Sequence, residues 1–313
     1  MRLLLTYLMP PANRRQFLQA LPGLAAVPAL AAPSDAMTFG FSLYGMKTLK
    51  TEPALRQLAA IGFDSVELCL SPGWDAEPDN LSPARRKSIR ALLANTRLRL
   101  TALMENLKLN GAQKANHERL KKAAALGSAL APEGQPLVET IMGGGQWDAV
   151  KNEFRDHLGG WAEVAAQEKL LLAVKPHRFG AVNRPEQALW LLEQVQSPWV
   201  KLTYDYSHFA HRGMTLEGTL RSLLPHTRFI HVKDTVLRNG RARFVLPGAS
   251  GQIDYVRLLK LAAAGGYRGD ICCEVSGQVF GQKGYDPVQA AKTCHANLAP
   301  AFKRAGIRRA AAP

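Results

Sequence analysis

The chain is poor in acidic residues, in cysteine and in long apolar runs. Its 313 residues hold 25 Asp and Glu against 40 Lys and Arg, a formal net charge of +15. A surplus of that sign attracts anions, nucleic acid among them. The basic residues are spread along the chain instead of forming a block, so the surplus reads as solubility and no nucleic-acid partner is expected. The four cysteines, Cys69, Cys272, Cys273 and Cys294, match no zinc-ribbon spacing. Cys69, Cys272 and Cys273 fall in apolar runs, where cysteine behaves as a small hydrophobe, and the pattern makes no case for a disulfide. No glycine-rich loop follows the first strand-like run, which argues against a nucleotide-binding open sheet. No repeat at a solenoid period and no low-complexity linker divides the chain. The apolar stretch LPGLAAVPALAA, ending at Ala32, is too short and too interrupted by Pro22 and Pro28 to span a bilayer.

That stretch follows NRRQFLQA, from Asn13 to Ala20, and the two together resemble a twin-arginine export signal. Small residues offer cleavage at Ala29-Leu30-Ala31 or Ser34-Asp35-Ala36. We read residues 1–36 as a twin-arginine-type signal peptide with its linker, residues 37–308 as one domain and residues 309–313 as a tail. A periplasmic protein with no membrane association after export is expected, and a disordered tail on a cytoplasmic protein is the alternative. Translation from Met1 or from Met9 would serve either reading.

From Met37 onward, eight short apolar runs alternate with helical patterns. They are TFGFSLY, DSVELCL, RLTALM, PLVETIM, LLLAVK, VKLTYD, RFIHVKD and DICCEV. Hydrophobic residues make up 47% of the chain, enough for a full core. Ser82 before Pro83, and Asn183 before Arg184-Pro185, read as helix starts, and Gly265-Gly266 as a helix stop. Eight strand–helix pairs in a domain of this size predict an α/β fold, a (β/α)₈ TIM barrel.

Such barrels carry their chemistry at the C-terminal ends of the strands. There the second run places Glu67, the fifth Lys175 and His177, the sixth Asp205 and His208, the seventh His231, Lys233 and Asp234, and the eighth Glu274. Asp205, His231 and Glu274 close three successive strands, and carboxylate with imidazole suits one divalent metal ion such as Mn²⁺, Zn²⁺, Co²⁺ or Fe²⁺. Lys175 and His177 are two residues apart and face the same way if the strand stays extended. Glu105 and Glu139 are left without a role. Tyr44 and Trp74 are candidates to stack on a sugar face.

YDYSH from Tyr204, FIHVKD from Phe229, LPGASGQIDY from Leu246 and GDICCEVS from Gly269 give the chain a resemblance to the xylose isomerase-like barrel family. The resemblance implies a divalent metal held by a Glu on the fifth strand, an Asp on the sixth, a His on the seventh and a Glu on the eighth. Asp205, His231 and Glu274 supply three, and Lys175 stands at the fifth-strand Glu position. The expected metal set is therefore His177, Asp205, His231 and Glu274, with Lys175 and Glu274 catalytic. Beside a metal, Lys175 is expected to lose its proton readily and act as a base, with simple pairing to Asp205 or Glu274 as the alternative. Glu67, His208, Lys233, Asp234 and Arg243 are the expected substrate contacts. The implied activity is that of a metal-dependent carbohydrate isomerase or epimerase, abstracting a proton beside a carbonyl of a free or keto sugar. Lyase or hydratase chemistry on a keto sugar is the alternative, followed by an endonuclease-like or a non-catalytic sugar-binding barrel.

Overall fold

A computed structural model describes residues 36–109 and 113–310. The leader and the last residues of the tail lie outside these. Eight parallel strands close on themselves: β1 (Ala36–Ser42), β2 (Ser65–Cys69), β3 (Arg99–Met104), β4 (Leu137–Ile141), β5 (Leu171–Lys175), β6 (Val200–Tyr204), β7 (Thr227–Val232) and β10 (Asp270–Cys273), with β10 pairing back to β1. The crossover helices are α1 (Thr51–Ile61), α2 (Pro83–Thr96), α3 (Gln113–Leu130), α4 (Trp147–Gln167), α5 (Pro185–Val195), α6 (Leu216–Leu223) and α7 (Tyr255–Ala264), while short α8 (Gly277–Phe280) and long α9 (Pro287–Ala305) follow β10. This is a (β/α)₈ barrel, and each of the eight apolar runs supplies one of its strands. A two-residue strand, β11 (Arg308–Arg309), pairs with the start of β1 and ties Arg309 to Asp64 at 2.8 Å. Among the described residues no helix is long and apolar enough to cross a membrane.

The hairpin β8 (Asp234–Arg238) and β9 (Arg241–Val245) has no counterpart in the strand count made from sequence. It leaves β7 after Lys233 and turns at Asn239-Gly240, both with positive φ. Asn-Gly suits a two-residue turn of this kind because both central residues must adopt that conformation. The helix starts divide. Ser82 accepts a hydrogen bond from Arg85 N–H and caps α2 as expected. Asn183 does not cap α5, which begins after Arg184. There the Gln187 side chain accepts from both the Asn183 and Arg184 N–H groups.

Strand alternation sorts the core. Outward residues such as Phe41, Leu68, Val138, Leu172, Leu202 and Ile271 join the helices in one large apolar cluster. Inside the barrel, Ala102, Leu137, Ala173, Phe229 and Cys272 form a small separate plug. Two residues before Cys272, Asp270 is buried at the barrel floor, accepting from Thr38, Ser65 and Thr101 hydroxyls. Residues two apart share a face. So two residues beyond Leu137, Ala173, Phe229 and Cys272, the same inner face presents Glu139, Lys175, His231 and Glu274. The period of the strand thus stacks a charged layer on an apolar one, on the side where the strands end.

Candidate active site

Lys175 is the last residue of β5 and only 3% exposed. Its Nζ lies 2.6 Å from Glu274 Oε2, 3.1 Å from Glu139 Oε1 and 3.0 Å from His231 Nδ1. Lys233, one residue past β7, is buried beside it. Its Nζ is 3.0 Å from Glu274 Oε1 and 3.2 Å from Asp205 Oδ2, and stands 4.6 Å over the Phe244 ring. His231 lies between two carboxylates, with Nε2 3.0 Å from Glu67 Oε2 and Nδ1 3.0 Å from Glu274 Oε2. Buried Lys, Glu and Asp are rare unless paired, and here they pair with one another.

The pairing spreads the proton affinities. Burial alone would lower Lys175, but Glu139, Glu274 and Asp205 outweigh it and hold the ammonium well above the usual lysine range. The pairing with Glu274 that stands as the alternative role for Lys175 is thus present. Burial would raise Glu274, yet Lys175, Lys233 and His231 pull it well below the carboxylate range. For Glu139, burial prevails over Lys175 and His231, and its carboxyl is pushed up. Burial works against protonated His231, but Glu67 and Glu274 raise it to about 9. Four carboxyl groups, Glu67, Glu139, Asp205 and Glu274, thus share the site with Lys175, Lys233 and His231.

The raised His231 has a stability consequence. The ring binds its proton more tightly in the folded protein, at about 9, than in the unfolded chain at the ordinary histidine value of 6.5. Its contribution is complete below pH 6.5 and is lost as the pH rises through 9. At 1.36 kcal/mol per pH unit this is roughly 3 kcal/mol. Urea unfolding at the two pH values is expected to show the loss in the wild type and a much flatter profile in His231→Gln.

His177 does not join the expected metal set. Its ring lies tilted against that of His208, centroids 4.2 Å apart, and Nδ1 accepts from Phe179 N–H. Burial, Lys233 and Lys175 push it down to about 3. Nor do Asp205, His231 and Glu274 surround an open position, since Lys175 and Lys233 take the oxygens of Glu274 and both ring nitrogens of His231 have partners. The residues at this position do not fit a divalent ion. Among the described residues, the group whose possible ligand atoms lie within 4.8 Å of one another is a different one, Glu67, His231 and Cys272. Burial and the nearby carboxylates keep the Cys272 thiol well above its ordinary range.

Three expected substrate contacts have other work. Glu67 is fully buried against His231 and orients that ring. Asp234 is fully buried too, accepting from Gly248 N–H at 3.1 Å, from the Ser250 N–H at 2.7 Å and hydroxyl at 2.6 Å, and from the Tyr255 hydroxyl at 2.5 Å. It clamps the LPGASG loop and has no capacity left for a substrate. Lys233 is held by Glu274 and Asp205 as described. His208 is buried. Its Nδ1 accepts from Arg178 N–H, and its Nε2 faces Asp205 Oδ2 at 3.4 Å. Arg243 lies on β9. It lines a cavity of about 590 Å³ with Arg238, Phe244 and Gln278, and Phe244 connects that cavity to Lys233. Tyr44 stacks on Trp74 with centroids 5.3 Å apart, and Phe280 meets Tyr44 edge-on at 5.0 Å. Desolvation and then Glu274 raise the Tyr44 hydroxyl to about 12.

Gly248 shows how tight the clamp is. Its φ is +74°, and a Cβ there would lie 2.6 Å from the Asn297 Cβ. Gly248→Ala is expected to cost more than about 2 kcal/mol, from a strained backbone and overpacking together. A fall in the urea midpoint would check it.

The structure adds Glu139 to the site. Its signal in the sequence was a carboxylate in the middle of the apolar run PLVETIM. The fifth strand lacks a Glu, but Glu139 from the fourth places a second carboxylate against Lys175.

Comparison with known proteins bears on what this cluster does. The model of the xylose isomerase-like TIM barrel family matches residues 55–296. A protein of Mus musculus, provisionally named hydroxypyruvate isomerase, is 30% identical over 178 residues, covering 52% of this chain and 61% of its own. The chain thus spans about three fifths of that relative's length. A Homo sapiens protein of the same provisional name is 27% identical over 243 residues, covering 70% of this chain and 82% of its own. A solved barrel from Mycobacterium smegmatis, in complex with magnesium, superposes with a TM-score of 0.66 at 18% identity, covering 86% of this chain and 97% of that one.

Proposed function

Because the chain belongs to the xylose isomerase-like TIM barrel family, we propose that it is an isomerase-type enzyme that shifts a proton between adjacent carbons of a small hydroxycarbonyl compound. The carrying observation is Glu274, held ionised by three cations where the strands end and 5% exposed, while Glu139 is fully covered. Proton transfer needs a base of the right charge within reach of the carbon. Glu274 would take the proton from the hydroxyl-bearing carbon beside the carbonyl, the electron pair of the broken C–H bond forming a C=C bond as the C=O π pair moves onto the carbonyl oxygen. That oxygen takes up the proton of the neighbouring hydroxyl, whose oxygen becomes the new carbonyl, and the same carboxylate returns its proton to the former carbonyl carbon. Epimerisation needs a second base on the opposite face, and Glu139 is too deeply covered for that task. The accessible carboxylate therefore favours isomerisation over epimerisation.

The relatives' names make hydroxypyruvate the first compound to test, and Arg238 and Arg243 in the neighbouring cavity favour a substrate bearing a carboxylate. Small carbohydrates are the wider class. The proposal includes export, since the leader read at Asn13 to Ala32 would bring the enzyme to free compounds and not phosphorylated ones. Proton NMR in D₂O is the test, on hydroxypyruvate and a panel of free aldoses and ketoses. Deuterium on the carbon bearing the hydroxyl, together with the aldehyde isomer, is the expected result. Folded protein that exchanges no proton on any of these compounds would overturn the reading.

A further inference from the structure

We propose that this barrel works without a resident divalent cation, the ammonium of Lys175 taking the cation's place. Three observations carry this. First, Nζ of Lys175 sits among the groups from which a cation centre would be built: Glu274 Oε2 at 2.6 Å, His231 Nδ1 at 3.0 Å and Glu139 Oε1 at 3.1 Å. Second, the donor atoms of Glu274, Asp205 and His231 are engaged, while Glu67 Oε1 and Glu139 Oε2 are buried without a hydrogen-bond partner. Glu274 Oε1 meets Lys233 at 3.0 Å, Asp205 Oδ2 faces Lys233 at 3.2 Å, Asp205 Oδ1 accepts from Ser207 N–H at 2.9 Å, and His231 Nε2 faces Glu67 at 3.0 Å. Third, Lys175 closes β5 and is 3% exposed, so its Nζ lies at the strand ends beside Glu274. A divalent ion bound to oxygen and nitrogen at about 2.0–2.6 Å would need the volume that Nζ fills. It would also meet two ammonium charges at close range. The substitution is thus not simply a lost ligand: it exchanges a carboxylate that would hold a cation for a cation that the chain supplies itself.

The chemical role of the ammonium rests on the isomerase reading above. A carbonyl oxygen that gains charge as Glu274 removes the proton needs an electrophile, and an N–H donor fixed in a dry site serves as a metal would. The bond that breaks is C–H, the proton goes to Glu274, and the negative oxygen is held by the Lys175 N–H.

Cobalt binding tests the proposal without reference to any substrate. The full chain and its Lys175→Glu variant are equilibrated with Co²⁺, desalted, and measured by elemental analysis, visible absorption and thermal melting. The wild type is expected to retain no stoichiometric cobalt, to show no ligand-field band and to melt unchanged. Lys175→Glu is expected to retain one ion per chain, to show the band and to melt higher with cobalt than without. Stoichiometric cobalt on the wild type overturns the proposal, and Asp205→Asn and Cys272→Ser variants would then locate the ion. A folded Lys175→Glu that binds none also overturns it, because Lys175 would not be standing in a cation's place. Should Lys175→Glu fail to fold even with cobalt, the wild-type measurement decides alone. Absence of proton exchange on every compound would count against the isomerase reading and leave the cobalt result as it stands.

Discussion

Glu274→Gln is expected to lower the rate of substrate proton exchange by about 10²- to 10⁴-fold, the usual worth of a general base. The amide keeps the shape of the side chain and removes the basic oxygen. Glu274 is also the residue on which Lys175, Lys233 and His231 converge, so the loss of activity has to be separated from a loss of structure. Circular dichroism at the assay temperature does this, since a folded but inactive variant assigns the effect to the base. Glu139→Gln gives the contrast. If a single carboxylate performs the shift, this change is expected to slow exchange far less than Glu274→Gln. Equal losses would argue instead for two bases and for epimerisation.

Lys175→Met is expected to destabilise the fold by about 3–5 kcal/mol, the cost of leaving buried partners of opposite charge uncompensated. The melting temperature should fall by roughly 10 °C. The methionine stem fills similar volume, so the loss reflects charge and not a cavity. Glu139 and Glu274 would then share a pocket with one cation fewer. Adding Glu139→Gln to Lys175→Met removes one of the stranded carboxyls and is expected to recover part of the stability. A double variant as unstable as the single one would show that Glu139 does not depend on Lys175 for its burial.

The architecture was legible in the sequence because parallel strands buried on both faces read as apolar runs, and each of the eight runs carries a barrel strand. Helix α3 is harder to see, since Lys, Glu, Arg and small residues dominate Gln113–Leu130 and its buried face mixes Leu120, Leu126 and Leu130 with Asn116, Ala123, Ala124 and Gly127. The hairpin was missed although Asn239-Gly240 marks it, because the run RFIHVKD was read as ending at Asp234 instead of starting a new strand there. In the site, Lys175, Asp205, His231, Lys233 and Glu274 were found from their positions at strand ends. Glu67 is also legible at a strand end, as a substrate contact, but its pairing with His231 joins β2 to β7 across the barrel, and Glu139 meets Lys175 from the neighbouring strand β4; no local pattern reports either pairing. The alternative reading of Lys175, pairing with Glu274, is the one the geometry carries, at 2.6 Å.

The β8–β9 hairpin separates two kinds of inheritance in this molecule. It leaves the barrel after Lys233, carries Arg238, Arg243 and Phe244 to the neighbouring cavity, and returns at Val245 to the loop held by Asp234. None of the residues that move or hold the proton lies between Leu237 and Val245. Its tip is therefore a cassette that can drift, shorten or be exchanged under selection for a new compound while the charged layer beneath stays as it is. Descendants of one such chain could diverge in what they accept and still share how they react.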